Sequence, residues 1–306
     1  MLEITVQTED QRRQVRPTAQ QLAELVRRIG ARGDNFLVLQ RIPDLPDVYV
    51  QVWHETGGDY LLEHRDGGHD RHFRVLVEAP ETVAGAMLGW ARHQDGWDAG
   101  MSWEPLDMPA PEPVPPLDLG QEDRDLLEQR VRELLIGGYG TRAQLAEIAE
   151  DYLVDGDNHP VSPQQARQLV DTLWLERVAE QSGWGEDETD PERISRAFAA
   201  LEAGGITARE HFTCCRNCGQ SEIGDAGSPD ARGFVYFHTQ CTDSVAAGAG
   251  LNLLYGGFDG SPETTAAIGV EVVAALTDVG LSVDWDGDPG QTITVTALDW
   301  RKRLVG

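Results

Sequence analysis

Lysine is nearly missing from this chain of 306 residues. It occurs once, at Lys302, whereas the other 24 basic residues are arginine. Schiff-base chemistry, and base catalysis by an amine, depend on a lysine whose pKa can be shifted. The sequence therefore all but excludes a lysine-based enzyme.

Long hydrophobic runs and nucleotide motifs are also missing. No stretch approaches the roughly 18 apolar residues of a membrane helix, and the polar, acidic segment from Met1 to Asp10 lacks the features of a secretory signal. Glycine-rich stretches match neither the P-loop nor the dinucleotide fingerprint, and no Gly-x-Ser-x-Gly elbow occurs. These absences favour a cytoplasmic protein without a recognisable nucleotide site.

Basic residues are scarce: the chain has 25 lysines and arginines against 52 acidic residues. Residues 1–104 carry 17 acidic and 11 basic side chains, and residues 105–306 carry 35 and 14. The only dense basic run is Arg301-Lys302-Arg303. A surface of this charge repels phosphate backbones and anionic lipids. We therefore expect neither nucleic acid nor a membrane as a partner, and a basic protein partner would suit the charge.

A proline-rich segment divides the chain. Six prolines fall within residues 105–116, and such a segment is extended and fairly stiff. The chain is also about twice as long as a typical domain. The sequence thus predicts two domains, residues 1–104 and 119–306, joined by a linker at residues 105–118.

Residues 1–104 have the pattern of a small α+β domain. Thr18 and Gln21 form a capping box for a helix that Gly30 ends. Alternating apolar residues between glycine turns predict an antiparallel meander, with strands at 36–40, 48–53, 60–64 and 72–77. Short strands at 2–6 and 101–103 and a helix at 82–91 complete the domain. Four histidines around the meander are expected to be exposed: His54, His64, His69 and His72.

Residues 119–306 change to a helical period and then to strands. Ser162-Pro163-Gln164-Gln165 and Asp190-Pro191 predict two helix starts, and Gly204-Gly205 predicts a helix end. Strand patterns follow at 234–239, 251–255, 283–285 and 292–295, with one helix at about 262–279. The predicted class is α+β, with an N-terminal antiparallel meander and two helices, then a C-terminal helical segment and a small α/β portion.

All four cysteines lie between residues 214 and 241. In a reducing compartment such a cluster is more typical of a metal site than of disulfides. The segment Cys215-Arg216-Asn217-Cys218-Gly219 has the spacing of a zinc knuckle, in which two thiolates bind one ion and glycine permits a tight exit.

A second pair with the same spacing, His238 and Cys241, follows Cys218 after 19 intervening residues. The two pairs together predict a Cys3His zinc site. Cys214 is an alternative to Cys215, and His211 to His238. Because four protein ligands leave no open position for water, the predicted zinc is structural. The predicted ligands are Cys215, Cys218, His238 and Cys241.

Three other roles are open to the cysteines. In the first no metal binds: Cys214 and Cys241 are small buried side chains, and Cys215 and Cys218 form a free dithiol. A thioredoxin-like Cys-x-x-Cys follows a strand and starts a helix, whereas here a helix is predicted to end at Gly205 before the cysteines, which argues against redox chemistry. An enzyme with its active site at the Cys214–Cys218/His238 cluster is the alternative function, either through an open metal position or through a nucleophilic Cys214 with His238 and Asp243.

Residues of about 120–306 resemble an uncharacterised, mostly actinobacterial domain of unknown function. The similarity lies in the box Phe212-Thr-Cys-Cys-Arg-Asn-Cys-Gly219, in Phe234-Val-Tyr-Phe-His238 and in Leu298-Asp-Trp-Arg301. This resemblance implies no activity.

Residues 1–104 resemble, more weakly, immunity proteins of bacterial polymorphic toxin systems. The segments behind this are Phe36-Leu-Val-Leu39, Tyr49-Val-Gln51, Tyr60-Leu-Leu-Glu63 and Trp103. The resemblance implies a non-enzymatic, toxin-binding fold. The favoured function is therefore a cytoplasmic binding protein of immunity or accessory type with a structural zinc, and a two-module interaction adaptor is a further alternative.

Overall fold

The computed structural model describes residues 1–306 as nine α-helices and twelve β-strands in two sheets. One sheet is antiparallel with seven strands and the other is mixed with five. The predicted α+β class is confirmed. None of the nine helices combines the length and the apolar character needed to cross a lipid bilayer.

The first 105 residues form the seven-stranded sheet and two helices that cover one of its faces. The strand order is β2-β1-β3-β4-β5-β6-β7, and α2 packs on both α1 and the central strands. In chain order the elements are β1 (Ile4–Thr8), β2 (Arg13–Val15), α1 (Ala19–Arg28), β3 (Phe36–Arg41), β4 (Val48–Trp53), β5 (Tyr60–Asp66), β6 (His72–Val77), α2 (Pro80–Ala91) and β7 (Glu104–Pro105).

Strand alternation builds the core of this region. Leu37 and Leu39 of β3 and Val50 and Val52 of β4 are fully buried on the face that the helices cover, as the period of two in a strand requires. The predicted capping box at the start of α1 is confirmed, since the Thr18 hydroxyl accepts a hydrogen bond from the backbone N–H of Gln21 at 3.2 Å.

Two expectations about this region were wrong. None of the four histidines is exposed: His54 and His72 are buried, and His64 and His69 are half-buried. His54 stacks on Tyr60 with ring centroids 3.8 Å apart. The last strand lies at 104–105 rather than 101–103, and β2 was missed because its three residues are exposed at one edge and carry no apolar alternation.

The remaining residues form helices first and then the five-stranded sheet, in the order β11-β12-β10-β9-β8. The helix start at Ser162 is confirmed, since Ser162 and Gln165 exchange capping hydrogen bonds. At the next helix the cap is Thr189 rather than Asp190. The elements are α3 (Gln121–Gly137), α4 (Arg142–Asp151), α5 (Pro163–Ser182), α6 (Asp190–Ala203), β8 (Ile206–Arg209), α7 (Arg216–Glu222), a 3-10 turn (Ile223–Asp225), β9 (Gly233–Tyr236), α8 (Thr239–Ala246), β10 (Leu251–Gly257), α9 (Pro262–Asp278), β11 (Ser282–Asp284) and β12 (Ile293–Thr296).

The chain separates into two compact units. Unit 1 comprises residues 1–118, 141–178 and 304–306, and unit 2 comprises residues 119–140 and 179–303. The proline-rich segment, α4 and most of α5 therefore belong to unit 1. The domain limits of 1–104 and 119–306, with a linker at 105–118, stay a prediction.

A buried ion network explains why helices beyond the prolines belong to unit 1. Arg142 of α4 lies 2.7 Å from the carboxylate of Asp44 and 2.6 Å from that of Asp171. The Trp174 indole N–H donates to the backbone carbonyl of Asp44 at 2.7 Å. Burial raises the pKa of Asp44 although Arg142 opposes the shift. Since an unpaired buried charge is costly, Asp44 ties α4 and α5 to the end of β3.

Candidate metal centre

Both predicted metal-binding segments lie at one edge of the five-stranded sheet. β8 and β9 are parallel neighbours, paired from Ile206 with Gly233 to Arg209 with Tyr236. Their carboxyl ends therefore meet, and each is followed by a helix. Cys215 is the N-cap of α7 and His238 is the N-cap of α8. Ligand sites form at this kind of edge because the loops after parallel strands converge there.

The connection from β8 to α7 is six residues long and has an unusual backbone. His211 and Thr213 have positive φ angles of 48° and 60°, a conformation that costs a residue with a side chain about 1–2 kcal/mol. Hydrogen bonds hold it in place: the Phe212 N–H donates to the Phe237 carbonyl at 2.8 Å, and the Thr213 hydroxyl donates to the Cys215 carbonyl at 3.2 Å.

This connection brings three thiols together. The sulfurs of Cys214, Cys215 and Cys218 all lie within 4.8 Å of one another, and those of Cys214 and Cys218 are 3.5 Å apart. Thiolates on a tetrahedral zinc, with Zn–S bonds near 2.3 Å, are about 3.8 Å apart. One of the three separations is slightly below that value and the other two are at most 4.8 Å. A small adjustment therefore lets the three sulfurs, which we call the thiol trio, hold one metal ion.

Two of the three thiols have pKa values that are shifted in opposite directions. The backbone N–H of Cys218, assisted by the thiols of Cys218 and Cys214, stabilises the Cys215 thiolate and lowers its pKa below the ordinary 9.0. The same contacts with Cys214 and Cys215 raise the pKa of Cys218 to about 11. Of Cys215 and Cys218, it is therefore Cys215, at the cap of α7, that forms a thiolate first, which suits binding of a thiophilic cation.

The second predicted pair is in contact but buried. The Cys241 sulfur lies 3.6 Å from both ring nitrogens of His238, and the two residues are 7% and 8% exposed. Burial raises the pKa of Cys241 and lowers that of His238. The ligand atoms of this pair lie outside the group that the thiol trio forms. The four-residue set of Cys215, Cys218, His238 and Cys241 stays a prediction.

Hydrogen bonds nevertheless join the two connections. The backbone N–H and the hydroxyl of Thr239 both donate to the carbonyl of Thr213, at 3.1 and 2.9 Å. Thr213 precedes the trio and Thr239 follows His238. A movement of one connection would therefore displace the other through these hydrogen bonds.

Gly219 has a different role from the predicted one. It lies inside α7 rather than at a tight exit, and a Cβ atom there would lie 2.5 Å from the ring of Tyr236. The Tyr236 hydroxyl donates to the Arg216 carbonyl at 3.2 Å and accepts from Gln220 at 3.3 Å. Glycine is needed here because a buried aromatic ring packs directly against the helix backbone.

His211, the alternative ligand, is engaged in packing. Its ring stacks on Tyr139 with centroids 4.5 Å apart, and its Nδ1 lies 2.9 Å from the Thr242 hydroxyl. Burial lowers the pKa of His211.

Beside His211 lies a polar cluster that the sequence did not predict. The Tyr139 hydroxyl donates to Glu210 at 2.6 Å, and the Lys302 ammonium lies 3.0 Å from the same carboxylate oxygen. Burial and the Glu210 carboxylate raise the pKa of Tyr139 well above 10. The one signal in the sequence was the uniqueness of Lys302. The compact ammonium of Lys302 lies both against Glu210 and 4.5 Å from the ring centroid of Tyr139.

The structure overturns the argument from context against redox chemistry. A strand, β8, does precede the cysteines, and α7 does begin at Cys215. The sequence did not reveal either element, because both are short. In the proposed triad of Cys214, His238 and Asp243, two members contact other residues. His238 contacts Cys241, and Asp243 forms an ion pair with Arg130 at 3.1 Å.

Comparisons with known proteins confirm that the second part of the chain matches a domain of unknown function. The cysteine box as the mark of that domain and its actinobacterial origin stay predictions. A family described as "Domain of unknown function (DUF6891)" matches residues 120–304. Searches of the curated proteins and of the solved structures gave no match. The resemblance of residues 1–104 to immunity proteins stays a prediction. The family match covers more than half of the chain, which therefore belongs to the family described as Domain of unknown function (DUF6891).

Proposed function

We propose that the protein is a non-enzymatic binding protein, of immunity or accessory type, in which a zinc ion stabilises unit 2. The observation that carries the metal part is the thiol trio, with three sulfurs within 4.8 Å. Thiolate ligands select zinc over the hard cations calcium and magnesium. The fourth ligand comes from the His238–Cys241 pair. The hydrogen bond from the Thr239 hydroxyl to the Thr213 carbonyl links this pair to the trio.

A zinc ion with four protein ligands has no open position, so it supports structure and does not activate water. The β8–α7 connection gains most from such an ion. Two of its residues have positive φ angles, and α7 has only seven residues. A short helix is not stable by itself in water, so a metal at its N-terminus stabilises it.

The binding part of the proposal is supported by charge. The excess of acidic residues over basic ones is 27. Such a surface attracts basic proteins and accelerates their association. Nucleic acids and anionic membranes are repelled by the same field. A reducing compartment such as the cytoplasm suits the four free cysteines.

Metal analysis of the reduced protein tests the zinc site. We expect one zinc per chain, lost together with stability in Cys215→Ser and Cys218→Ser. Cobalt substitution then counts thiolate ligands from the intensity of the sulfur-to-cobalt absorption band. Four thiolates identify Cys241 as the fourth ligand, whereas three identify His238. Protein that holds no zinc, or that loses zinc without losing stability, contradicts a structural site.

The binding role is tested by purifying the tagged chain from its own host at low ionic strength. We expect a basic protein to co-purify and to dissociate at high salt, and the purified pair to reassemble. Failure to recover any partner at low salt, from protein that holds its zinc, contradicts the binding role and leaves the metal site intact.

Thiol redox chemistry is the second candidate, because Cys215 caps the helix that follows β8 after a six-residue connection. Two thiols of the trio would each give up a proton and form one sulfur–sulfur bond, while their two electrons break the disulfide bond of oxidised glutathione and the two protons complete its two product thiols. The metal analysis separates the two functions. A metal-free protein in which oxidised glutathione consumes two thiols favours redox chemistry, whereas zinc-bound thiols that resist oxidation favour the structural site.

A further inference from the structure

A row of four large apolar side chains crosses the face of the seven-stranded sheet that α1 and α2 leave open. The strand register pairs Phe36 with Trp53, Trp53 with Leu61, and Leu61 with Leu76. The row therefore runs across four neighbouring strands, β3 to β6. Trp53 is 44% exposed and Leu76 is 65% exposed. We call these four side chains the apolar row. Large exposed apolar patches of this kind usually mark contact surfaces.

A cavity opens beside the apolar row. Its volume is about 280 Å³, and its walls are Phe36, Gln51, Val52, Trp53, Leu61 and Glu63. Small-molecule pockets usually measure about 300–1,000 Å³. The cavity therefore suits one long side chain better than a whole cofactor or substrate.

Glu63 places a carboxylate in the wall of this cavity. Its side chain is only 14% exposed. The Gln51 amide donates to Oε2 of Glu63 at 2.6 Å, and Nε2 of His72 lies 3.5 Å from the same oxygen. Both contacts use Oε2, so Oε1 is available to an incoming donor.

Aromatic walls and a carboxylate together suit an arginine side chain. The guanidinium plane packs on an aromatic face, as over an indole, and donates charge-assisted hydrogen bonds to a carboxylate. Its apolar stem suits the Phe36 and Leu61 walls. A lysine would satisfy the charge but not the stacking.

The surroundings of the apolar row favour a basic occupant. Glu55, Asp59 and Glu78 are exposed and form no ion pair. Each lies two residues along the chain from a member of the row, at the same end of the sheet. Carboxylates without counterions attract cationic groups and repel a second copy that would bring the same carboxylates.

We infer that this face of the sheet is the docking surface for a basic segment of a partner protein, with an arginine of that segment in the cavity between Trp53 and Leu61. The inference rests on the proposed binding function and specifies where the partner docks and which side chain it inserts. The apolar row would supply the buried centre of the interface, and the three carboxylates would supply its polar rim.

A peptide titration of the full zinc-loaded chain tests the inference. The probe is a synthetic 12-residue peptide of leucine and lysine with one central arginine, and the control peptide carries citrulline there, which has the same shape without the charge. We expect citrulline to weaken binding about tenfold, which is about 1.4 kcal/mol, because the charge-assisted hydrogen bond to Glu63 is lost. Calorimetry measures both affinities.

Variants of the chain then locate the site. We expect Trp53→Ala and Glu63→Gln each to weaken binding of the arginine peptide about tenfold. Binding of the citrulline peptide should weaken by a smaller factor in both variants. Leu175→Ala, at a side chain of α5 with a similar exposure of 45%, should leave both affinities unchanged. Because Trp53 is exposed and Glu63→Gln preserves shape, these variants are expected to fold, which their circular dichroism checks.

Three results would overturn the inference: no binding of the arginine peptide, equal affinity for the two peptides, or affinities that neither Trp53→Ala nor Glu63→Gln changes. A dimer seen by sedimentation and abolished by Trp53→Ala would also overturn it, because the face would then bind a second copy. If arginine-selective binding persists in both variants, the peptide binds at another site. That result would overturn the docking surface but not the proposed binding of a basic partner. Zinc content, measured on the same samples, tests the metal part separately.

Discussion

The two connections at the carboxyl ends of β8 and β9 carry similar chemistry in different surroundings. Each leads from a parallel strand into a short helix, and each ends on the first of two ligand-type side chains three positions apart, the second of which lies in the helix. The first spans six residues, 210–215, and leaves Cys214 exposed. The second has only Phe237 and His238, and it leaves His238 and Cys241 buried.

The length of the connection explains the difference in burial. Two residues give the chain no room to leave the sheet edge, so His238 and Cys241 pack into the core with Phe237. Six residues, two of them with positive φ, carry the thiol trio outward. Sequence spacing alone therefore does not decide whether a Cys-x-x-Cys pattern is accessible, because the preceding connection sets its depth.

The largest expected difference between the two connections is in thiol reactivity. In metal-free, reduced protein we expect Cys214 and Cys215 to react rapidly with a disulfide reagent and Cys241 to react about 100-fold more slowly, since a buried thiol needs a local opening of about 3 kcal/mol. Quenched labelling followed by mass spectrometry measures each rate. Similar rates for Cys214 and Cys241 would contradict the difference in burial.

The pH dependence of the same reaction sharpens the comparison within the trio. The thiolate is the reactive form, and the pKa of Cys215 is lowered below 9.0 whereas that of Cys218 is raised to about 11. Labelling of Cys215 should therefore reach half its maximal rate below pH 9, and labelling of Cys218 only near pH 11. The single variants Cys215→Ser and Cys218→Ser assign the two transitions, and a reversed order would refute the asymmetry.

The packing of α7 on Tyr236 gives the next largest effect. In Gly219→Ala the new methyl group meets a buried ring at 2.5 Å, and overpacking of this kind costs about 1–3 kcal/mol. The better helix propensity of alanine offsets about 1 kcal/mol of this cost, so we expect a net loss of up to about 2 kcal/mol. Chemical denaturation measures it. Gly224→Ala is the matched control, because a Cβ there has no neighbour within 4 Å; equal midpoints for the two variants would show that the ring can move.

Most of the regular elements were predictable because their signals are local. The capping box of Thr18 and Gln21 predicted the start of α1, and alternation with glycine turns predicted β3 to β6 to within two residues. These patterns depend on neighbours in sequence, so one chain is enough to detect them.

The elements that form the candidate site were not predictable in this way. β8 has four residues, α7 seven and α8 eight, and elements so short carry little periodicity. The thiol trio also depends on tertiary contacts: the hydrogen bonds of Phe212 and Thr239 across the two connections place Cys214 beside Cys218. Spacing predicted which residue types could bind metal, and the fold decided which of them meet.

Removing the Tyr236 hydroxyl should have a smaller effect than crowding its ring. Tyr236→Phe keeps the packing but leaves the Arg216 carbonyl and the Gln220 amide without their partner, which costs about 1 kcal/mol. We expect lower stability of unit 2 and faster labelling of Cys218, because α7 is held less firmly. Tyr152→Phe, at a side chain that is 43% exposed and makes no hydrogen bond, is the control. A change no larger than in that control would mean that the hydroxyl does not anchor α7.

The link between the two connections gives the smallest effect. In Thr239→Val the hydroxyl bond to the Thr213 carbonyl is lost, but the backbone N–H of residue 239 still donates to that carbonyl. The carbonyl is therefore not orphaned, and the loss should be about 0.5 kcal/mol, at the low end for a hydrogen bond. Thr239→Ser keeps the hydroxyl and should behave like the unchanged chain. If the connections are coupled, Thr239→Val also changes the labelling rate of Cys214, although the substitution is on the opposite connection. A rate that stays constant while stability falls would mean that each connection holds its shape independently, and that the thiol trio owes its geometry to the residues 210–215 alone.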